Sequence, residues 1–483
     1  MTPEWVKTSI FYQIFPDRFA KSDLLKKPGN LEAWDAPPTL HGFKGGDLLG
    51  VAEQLDYLQD LGITAIYFNP IFQSASNHRY HTHDYYRVDP LLGGNEAFLT
   101  LLEKAHNRGM RIILDGVFNH ASRGFFQFNH ILECGPSSPY IDWFTVEKHP
   151  PNAYSDRHYY KSWFNLPALP EFNTENQNVR EFLFAIARHW LEVGIDGWRL
   201  DVPASIDDDE FWGEFRQIVK SVNPEAYIVG EITTEAQRWL QGDQFDGIMN
   251  YQLMQPCLGF FAAESINWNI EKGIMGLHRT MVLDAASFAK RVEELLKIYP
   301  KAAVYAQLNL LDSHDMPRFV TLAGGDKTAY KLAVLFLMTY PGAPCIYYGD
   351  EIGMQEGTSN YPEASRYAFN WNLEERDTDL RKYIKCLIHI RRNNASLSIG
   401  SFYTLYAQGQ VLAYLREFMD DQFIVVINTS QSSQPLEIPV DIQMRAQSTW
   451  HDLLTNRTAQ LSDGVLSGMT IPPRSGAIMS MQI

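Results

Sequence analysis

The sequence predicts an α/β protein: a (β/α)8 TIM barrel with a small inserted subdomain after strand 3 and a C-terminal antiparallel β-sandwich domain. Three observations carry that expectation. Eight short apolar runs recur along the chain, too continuously hydrophobic for half-exposed antiparallel strands. Segments of helical period lie between them, and 483 residues leave ample room for a barrel, which by itself takes about 250. Beyond about residue 399, short runs alternate with turn residues and the helical period disappears.

In chain order the runs are residues 10–14, 65–68, 111–114, 197–200, 227–229, 247–249, 308–311 and 344–348. Phe182, Leu183, Ile186, His189, Trp190 and Val193 share one helical face, as do Phe288, Val292, Leu295, Leu296 and Tyr299. Two stretches break the alternation: 121–174, dense in aromatics, Pro and Asn, and 258–285. Loops this long in a compact domain are usually lids or small subdomains. The last helix falls near 379–395. The division expected is therefore 1–120 and 175–398 for the barrel, 121–174 for the inserted subdomain, and 399–483 for the β domain. Of Trp143, Phe144, Tyr154, Tyr159, Tyr160, Trp163 and Phe164, most are expected to form the subdomain's core and some to meet substrate.

The 41 basic and 57 acidic residues leave a formal charge of −16, which disfavours nucleic acid and anionic membrane surfaces but not a neutral ligand. The 11 Trp and 24 Tyr suit sugar faces and equally fill cores. The start of the chain has no basic region followed by a long apolar core, and no apolar run reaches about 18 residues. Cys134, Cys257, Cys345 and Cys386 lie far apart without metal-ligand spacing and read as reduced, mostly buried thiols. A cytoplasmic protein with no nucleic-acid or membrane partner is the expectation.

In a parallel barrel the chemistry sits at the carboxyl ends of the strands. The third run ends in Asp115-Gly116-Val117-Phe118-Asn119-His120, the fourth in Arg199-Leu200-Asp201, the fifth in Gly230-Glu231, and the seventh in Asp312-Ser313-His314-Asp315. Asp201, Glu231 and Asp315 can thus converge at one mouth, and two carboxylates flanking a bond suffice for glycoside hydrolysis. Arg199 lies two residues before Asp201, on the same strand face, where its guanidinium would hold Asp201 ionised. The competing reading of any one such carboxylate is a cap on the next helix.

These segments resemble the four signature regions of the α-amylase family of glycoside hydrolases (glycoside hydrolase family 13): DGVFNH (115–120), GWRLDVPAS (197–205), GE (230–231) and LLDSHD (310–315), in the family's order. The likeness extends through YQIFPDRF near the start, LDYLQDLGITAIYFNPIF (55–72), LPEFNT (169–174) and PGAPCIYYGDEIGM (341–354), and looks most like the cyclomaltodextrinase, neopullulanase and maltogenic amylase subgroup. The resemblance implies that Asp201 is the nucleophile, Glu231 the acid and then base, and Asp315 the carboxylate holding the hydroxyls of a distorted sugar. It implies that Arg199, His120 and His314 contact the reacting sugar. Tyr80 in Asn77-His78-Arg79-Tyr80 would be its stacking platform with His78 beside it, and Arg366 would support the same subsite.

Four departures from the subgroup pattern stand out. The first barrel strand begins near residue 9, where the subgroup carries an N-terminal β domain, so the usual dimer is not expected. A monomer, or a homodimer through another surface such as 258–285 with Phe260, Phe261, Trp268 and Met275, is expected instead. Pro203-Ala204-Ser205 replaces an Ala-Asn-Glu stretch after the nucleophile, and Thr233 stands where Trp is usual, implying an open acceptor side able to admit an α-1,6 branch. The stretch 21–27, where the subgroup often binds calcium, has one carboxylate and three lysines. Asn119 matches a calcium-linked position elsewhere in the family, but Asn173 stands where a carboxylate would help. No metal or other cofactor is expected, since lysines repel a hard dication. The expectation is a retaining hydrolase of α-1,4 bonds, with α-1,6 bonds admitted on the open side, in maltooligosaccharides, cyclodextrins or pullulan. Transglycosylation would compete. The alternatives are a dedicated α-glucosyltransferase or isomerase of the family, or a non-catalytic sugar-binding relative.

Overall fold

Parallel strands close into a barrel in the computed structural model, which describes residues 2–271, 279–355, 362–440 and 447–481. They are β1 (Phe11–Ile14), β2 (Ala65–Phe68), β3 (Arg111–Gly116), β4 (Gly197–Leu200), β5 (Tyr227–Gly230), β6 (Gly247–Asn250), β7 (Leu308–Asn309) and β8 (Ala343–Tyr347). Each pairs in parallel with its sequence neighbours, and β8 closes on β1. Every apolar run is a barrel strand. Only β7 is cut short, because Leu310 and Leu311 leave the ladder on the way to Asp312.

Continuous hydrophobicity has a simple cause: both faces of each strand are covered. Phe11, Tyr67, Ile113, Val229, Met249 and Leu308 fill the barrel interior, while Tyr12, Ile66, Ile112, Trp198 and Ile228 meet the helices outside. Those helices include α1 (Gly94–His106), α2 (Gln177–Val193), α3 (Asp209–Val222), α4 (Ala285–Ile298), α5 (Lys327–Thr339) and α6 (Thr378–Asn393). Asn176, Asp208, Asp284, Asp326 and Asp377 cap α2 to α6 by accepting from first-turn amides, so part of the acidic excess is helix capping, about 1 kcal/mol each. Leu183, Ile186 and Trp190 of α2 and Phe288, Val292 and Leu295 of α4 are buried on the faces their spacing indicates.

Residues 121–174 rise from the end of β3 as a short helix (Phe126–Cys134) and isolated bridges, Phe144 with Phe172 and Ser162 with Pro170 among them. Phe125, Phe128, Phe144, Tyr160 and Phe172 are its core. Tyr154, Tyr159 and Phe164 are exposed, so the expectation that most of the segment's aromatics are core holds for fewer rings than the sequence suggested. The 258–285 stretch also differs from expectation. Phe260 and Phe261 are buried against Phe288 and Phe336 and offer no surface to a second copy; Met275 lies outside the described residues. Of the four free thiols, Cys257 and Cys345 are buried but Cys134 and Cys386 are exposed, a correction to the reading of mostly buried cysteines.

The C-terminal strands are β9 (Ser401–Gln408), β10 (Val411–Phe418), β11 (Asp421–Asn428), β12 (Gln434–Pro439), β13 (Gln447–Asp452), β14 (Thr458–Ser462), β15 (Val465–Ile471) and β16 (Ser475–Met481). They pair antiparallel in the order β9-β10-β11-β16-β13-β14-β15-β12. The sheet folds over itself, so Ala413, Leu415 and Val426 share a core with Trp450, Leu461 and Leu466. Its other face packs on α5 through Tyr414 and Phe336.

Candidate active site

The register of the barrel assembles the site. Asp115 on β3 stands directly beside Arg199 on β4. The ladder runs one step past the strands, Asp201 N donating to the Gly116 carbonyl (3.1 Å) and Glu231 N to the Leu200 carbonyl (2.9 Å), which fixes both acidic residues at strand ends. Arg199 is fully buried and binds three carboxylates: its Nη1 lies 2.8 Å from Asp115 Oδ1 and 2.8 Å from Asp201 Oδ1, and its Nη2 lies 2.8 Å from Glu231 Oε1. The other Glu231 oxygen accepts from Val202 N (3.1 Å).

A second arm comes from β1, β2 and the segment after β7. Tyr80 donates its hydroxyl to Asp115 (2.9 Å) and lies 2.7 Å from His314 Nε2, with the two rings stacked at 5.6 Å. Gln13 Nε2 donates to Asn69 Oδ1 (3.0 Å) and lies 2.9 Å from His314 Nδ1. An amide donor at Nδ1 puts the imidazole proton on Nε2, where Asp315 Oδ2 accepts at 2.9 Å. Arg366 joins Asp315 (2.7 Å) to Glu363 (2.8 Å) and donates from Nε to the His314 carbonyl (3.0 Å).

The structure therefore brings Asp201, Glu231, Asp315, Arg199, His314, Arg366 and Tyr80 into one hydrogen-bonded network. His78 stacks beside Tyr80 at 5.8 Å, and His120 lies against Trp163 at 5.5 Å. Burial pushes His78 and His314 down and lowers His120 to about 3. Sequence reasoning left Gln13, Asn69, Glu363 and Tyr67, whose hydroxyl donates to Asp115 (3.1 Å), out of the site and did not assign Asp115 a role. The signal was present for some of them, since polar residues at inward positions of otherwise apolar strands have no place in a dry core.

The electrostatics refine one expectation. Arg199 does not serve Asp201 alone. Burial pushes Asp201 well above the usual aspartate range, Arg199 opposes it, and the neighbouring Glu231 and Asp115 push it further up. Glu231 is also raised, by burial and then by Asp315, against the pull of Arg199. Asp315 goes the other way. Burial would raise it, but His314, Arg366 and Arg199 together hold it far below the ordinary range. Three carboxyls round one guanidinium thus favour keeping a proton in the cluster, while Asp315 stays ionised beside them.

Pro203 is buried, Ala204 and Ser205 are exposed, and Thr233 is half-buried. A calcium ion does not fit the loop after β1. Asp47 there is already taken up by Ser22 N (2.9 Å), Gly50 N (2.7 Å) and the Lys27 ammonium (2.6 Å), which a dication would have to face.

Residues 13–395 match the alpha amylase catalytic domain. The chain belongs to the α-amylase family. Residues 402–480 match the neopullulanase-like C-terminal domain. The chain is 42% identical to neopullulanase 2 of Thermoactinomyces vulgaris over 99% of its own length and 78% of that protein. Among solved structures it is similar to Ttha1563 from Thermus thermophilus (45% identity, TM-score 0.95, 99% of this chain and 100% of that one). It is also similar to the native debranching enzyme of Nostoc punctiforme (45% identity, TM-score 0.90, 99% of each chain). The protein is a glycoside hydrolase of this family, and no described helix is long and apolar enough to cross a membrane.

Proposed function

We propose that this protein hydrolyses α-glucans with retention of configuration, accepting α-1,4 bonds and, through its bare acceptor side, α-1,6 branches. The observation that carries the reading is the pair Asp201 and Glu231 held on the two terminal nitrogens of one guanidinium, with Asp315 anchored beside them. Bridged by one guanidinium at 2.8 Å each, the two carboxyls are held side by side, as direct attack requires. Asp201 attacks the anomeric carbon while Glu231 gives its proton to the departing glycosidic oxygen. Glu231 then takes a proton from water, whose oxygen displaces Asp201 and restores the original configuration. The raised Glu231 suits an acid that must arrive protonated. Ionised Asp315 and Arg366 face the sugar hydroxyls, and Tyr80 offers its ring to the apolar sugar face.

The bare surface at Ala204, Ser205 and Thr233 supports the admission of branched substrates, as does the similarity to a debranching enzyme and to neopullulanase 2. Transglycosylation competes where a sugar hydroxyl replaces water on the covalent intermediate. The reading includes no cofactor, and a cytoplasmic location in keeping with free thiols. Incubation with pullulan, maltoheptaose, a branched maltooligosaccharide and β-cyclodextrin, followed by product identification, tests it. Glucose or maltose release from maltoheptaose together with cleavage of the branched substrate is expected. Cleavage of maltoheptaose alone would remove the α-1,6 part, and no cleavage of any of the four would remove the whole.

A further inference from the structure

The buried network behind the carboxylates takes its direction from a member that can only accept. Arg199 donates to Asp115 Oδ1 (2.8 Å), and the Tyr67 and Tyr80 hydroxyls both reach Asp115 Oδ2 (3.1 and 2.9 Å). An ionised carboxylate offers no proton, so both phenols spend theirs on it and their oxygens are left to accept. The Asn69 side chain reaches both oxygens, 3.0 Å to Tyr80 and 3.4 Å to Tyr67, so it presents its NH2 there and turns its carbonyl the other way. That carbonyl meets Gln13, buried and beside Tyr67 in the register of β1 with β2. A carbonyl at 3.0 Å requires the Gln13 NH2, and the same NH2 lies 2.9 Å from His314 Nδ1. The orientation of both amides thus follows from Asp115, and it leaves His314 Nδ1 without a proton of its own.

The consequence lies at the other ring nitrogen. The His314 proton sits on Nε2, shared between Asp315 Oδ2 (2.9 Å) and the Tyr80 oxygen (2.7 Å). With the proton on Nδ1 instead, a bare Nε2 lone pair would face the Asp315 carboxylate. Tyr80 would then turn its hydroxyl to that lone pair and desert Asp115. One misplaced proton would loosen both arms of the site. The charged and titratable groups facing His314 are Asp315, Arg366, Arg199 and Glu231, with Tyr80 and His78 from the segment after β2. Resting on the α-glucan reading above, we propose that Gln13 is a positioning residue for catalysis: its amide, oriented through Asn69, keeps His314 a neutral donor at Nε2 and so holds Asp315 and Tyr80 in place for the reacting sugar. Gln13 acts only through His314.

The test compares the unaltered protein with Gln13→Glu and Gln13→Met, both close to glutamine in length. Nitrogen-15 NMR of histidine-labelled protein reads the tautomer, with the His314 signals identified by their loss in His314→Gln. Kinetics on maltoheptaose and melting temperature are measured alongside. In the unaltered protein His314 should be the neutral Nε2–H tautomer across about pH 5–8. A carboxylate in place of the amide accepts from Nδ1, so in Gln13→Glu the His314 titration should move up into that range as the imidazolium gains a partner. In Gln13→Met the Nδ1–H tautomer should become populated. In both variants kcat should fall about tenfold or more while KM stays within about threefold. An Nδ1–H tautomer in the unaltered protein would overturn the proposal, whether or not the variants fold. Variants that melt lower but keep the tautomer, the titration and kcat would make Gln13 a structural element and overturn it too. If the unaltered protein cleaves no glucan, the hydrolase reading falls, and the tautomer measurements still decide whether Gln13 sets His314.

Discussion

Two buried clusters at the same end of the barrel use the same residue types for different ends. Around Arg199 gather Asp115, Asp201 and Glu231; around Arg318 gather Asp350, 2.6 Å away, and Asp312, whose carboxylate accepts from Phe319 N at 2.7 Å. In both, burial drives the carboxyls up and a single guanidinium offsets only part of the charge. Access separates them. The side chains of Asp201 and Glu231 are 9% and 12% exposed, whereas Arg318 and Asp350, at 1% and 6%, lie under Tyr347 and Tyr348. Ionisable chemistry at a strand end is therefore common to both clusters, and an opening to the cleft is what makes one of them a site.

The contrast is sharpest under mutation. Asp201→Asn should lower kcat on maltoheptaose by at least about 10⁴-fold with an unchanged melting temperature, as loss of a covalent nucleophile does. Arg318→Met should do the reverse. Leaving Asp350 and Asp312 buried without their cation should cost about 3–5 kcal/mol in chemical denaturation, while the folded fraction keeps its kcat within a few-fold. If Arg318→Met abolished turnover in protein that remained folded, the two clusters would not be separable in this way.

Acidity probes the open cluster alone. Asp201 must be ionised to attack and is raised, so the acid limb of kcat/KM should lie above the ordinary aspartate range. Glu231 must carry its proton and is also raised, so the alkaline limb should lie above the ordinary glutamate range. A pH profile falling with limbs at unshifted carboxyl values would contradict the burial argument. The smallest effect belongs to metal removal. With Lys27 on Asp47, dialysis against EDTA should leave activity unchanged, and a loss restored by calcium would overturn that expectation.

Much of this was legible in the sequence for a physical reason. Strands buried on both faces write continuous apolar runs, so all the barrel strands could be read, and strand ends carrying Asp201, Glu231 and Asp315 stood out against them. What could not be read depends on lateral register and on the depth of packing. Asp115 and Asp312 end strands just as Asp201 does, and only the closed barrel shows one beside Arg199 and the other beneath Arg318. Phe260 and Phe164 are the same residue in similar excursions, yet one fills the core and the other stands in solvent. Likewise the sharing of Arg199 among three acids has no signature along the chain.

The central claim, that the open cluster acts through Asp201 as a covalent nucleophile, is tested most directly by trapping the intermediate. The Glu231→Gln protein, supplied with α-maltosyl fluoride, needs no acid to expel its leaving group and lacks the base that would activate water. Peptide mass spectrometry should find a maltosyl adduct on Asp201. An adduct on any other carboxylate, or consumption of the fluoride with no adduct and inverted maltose as product, would contradict the account.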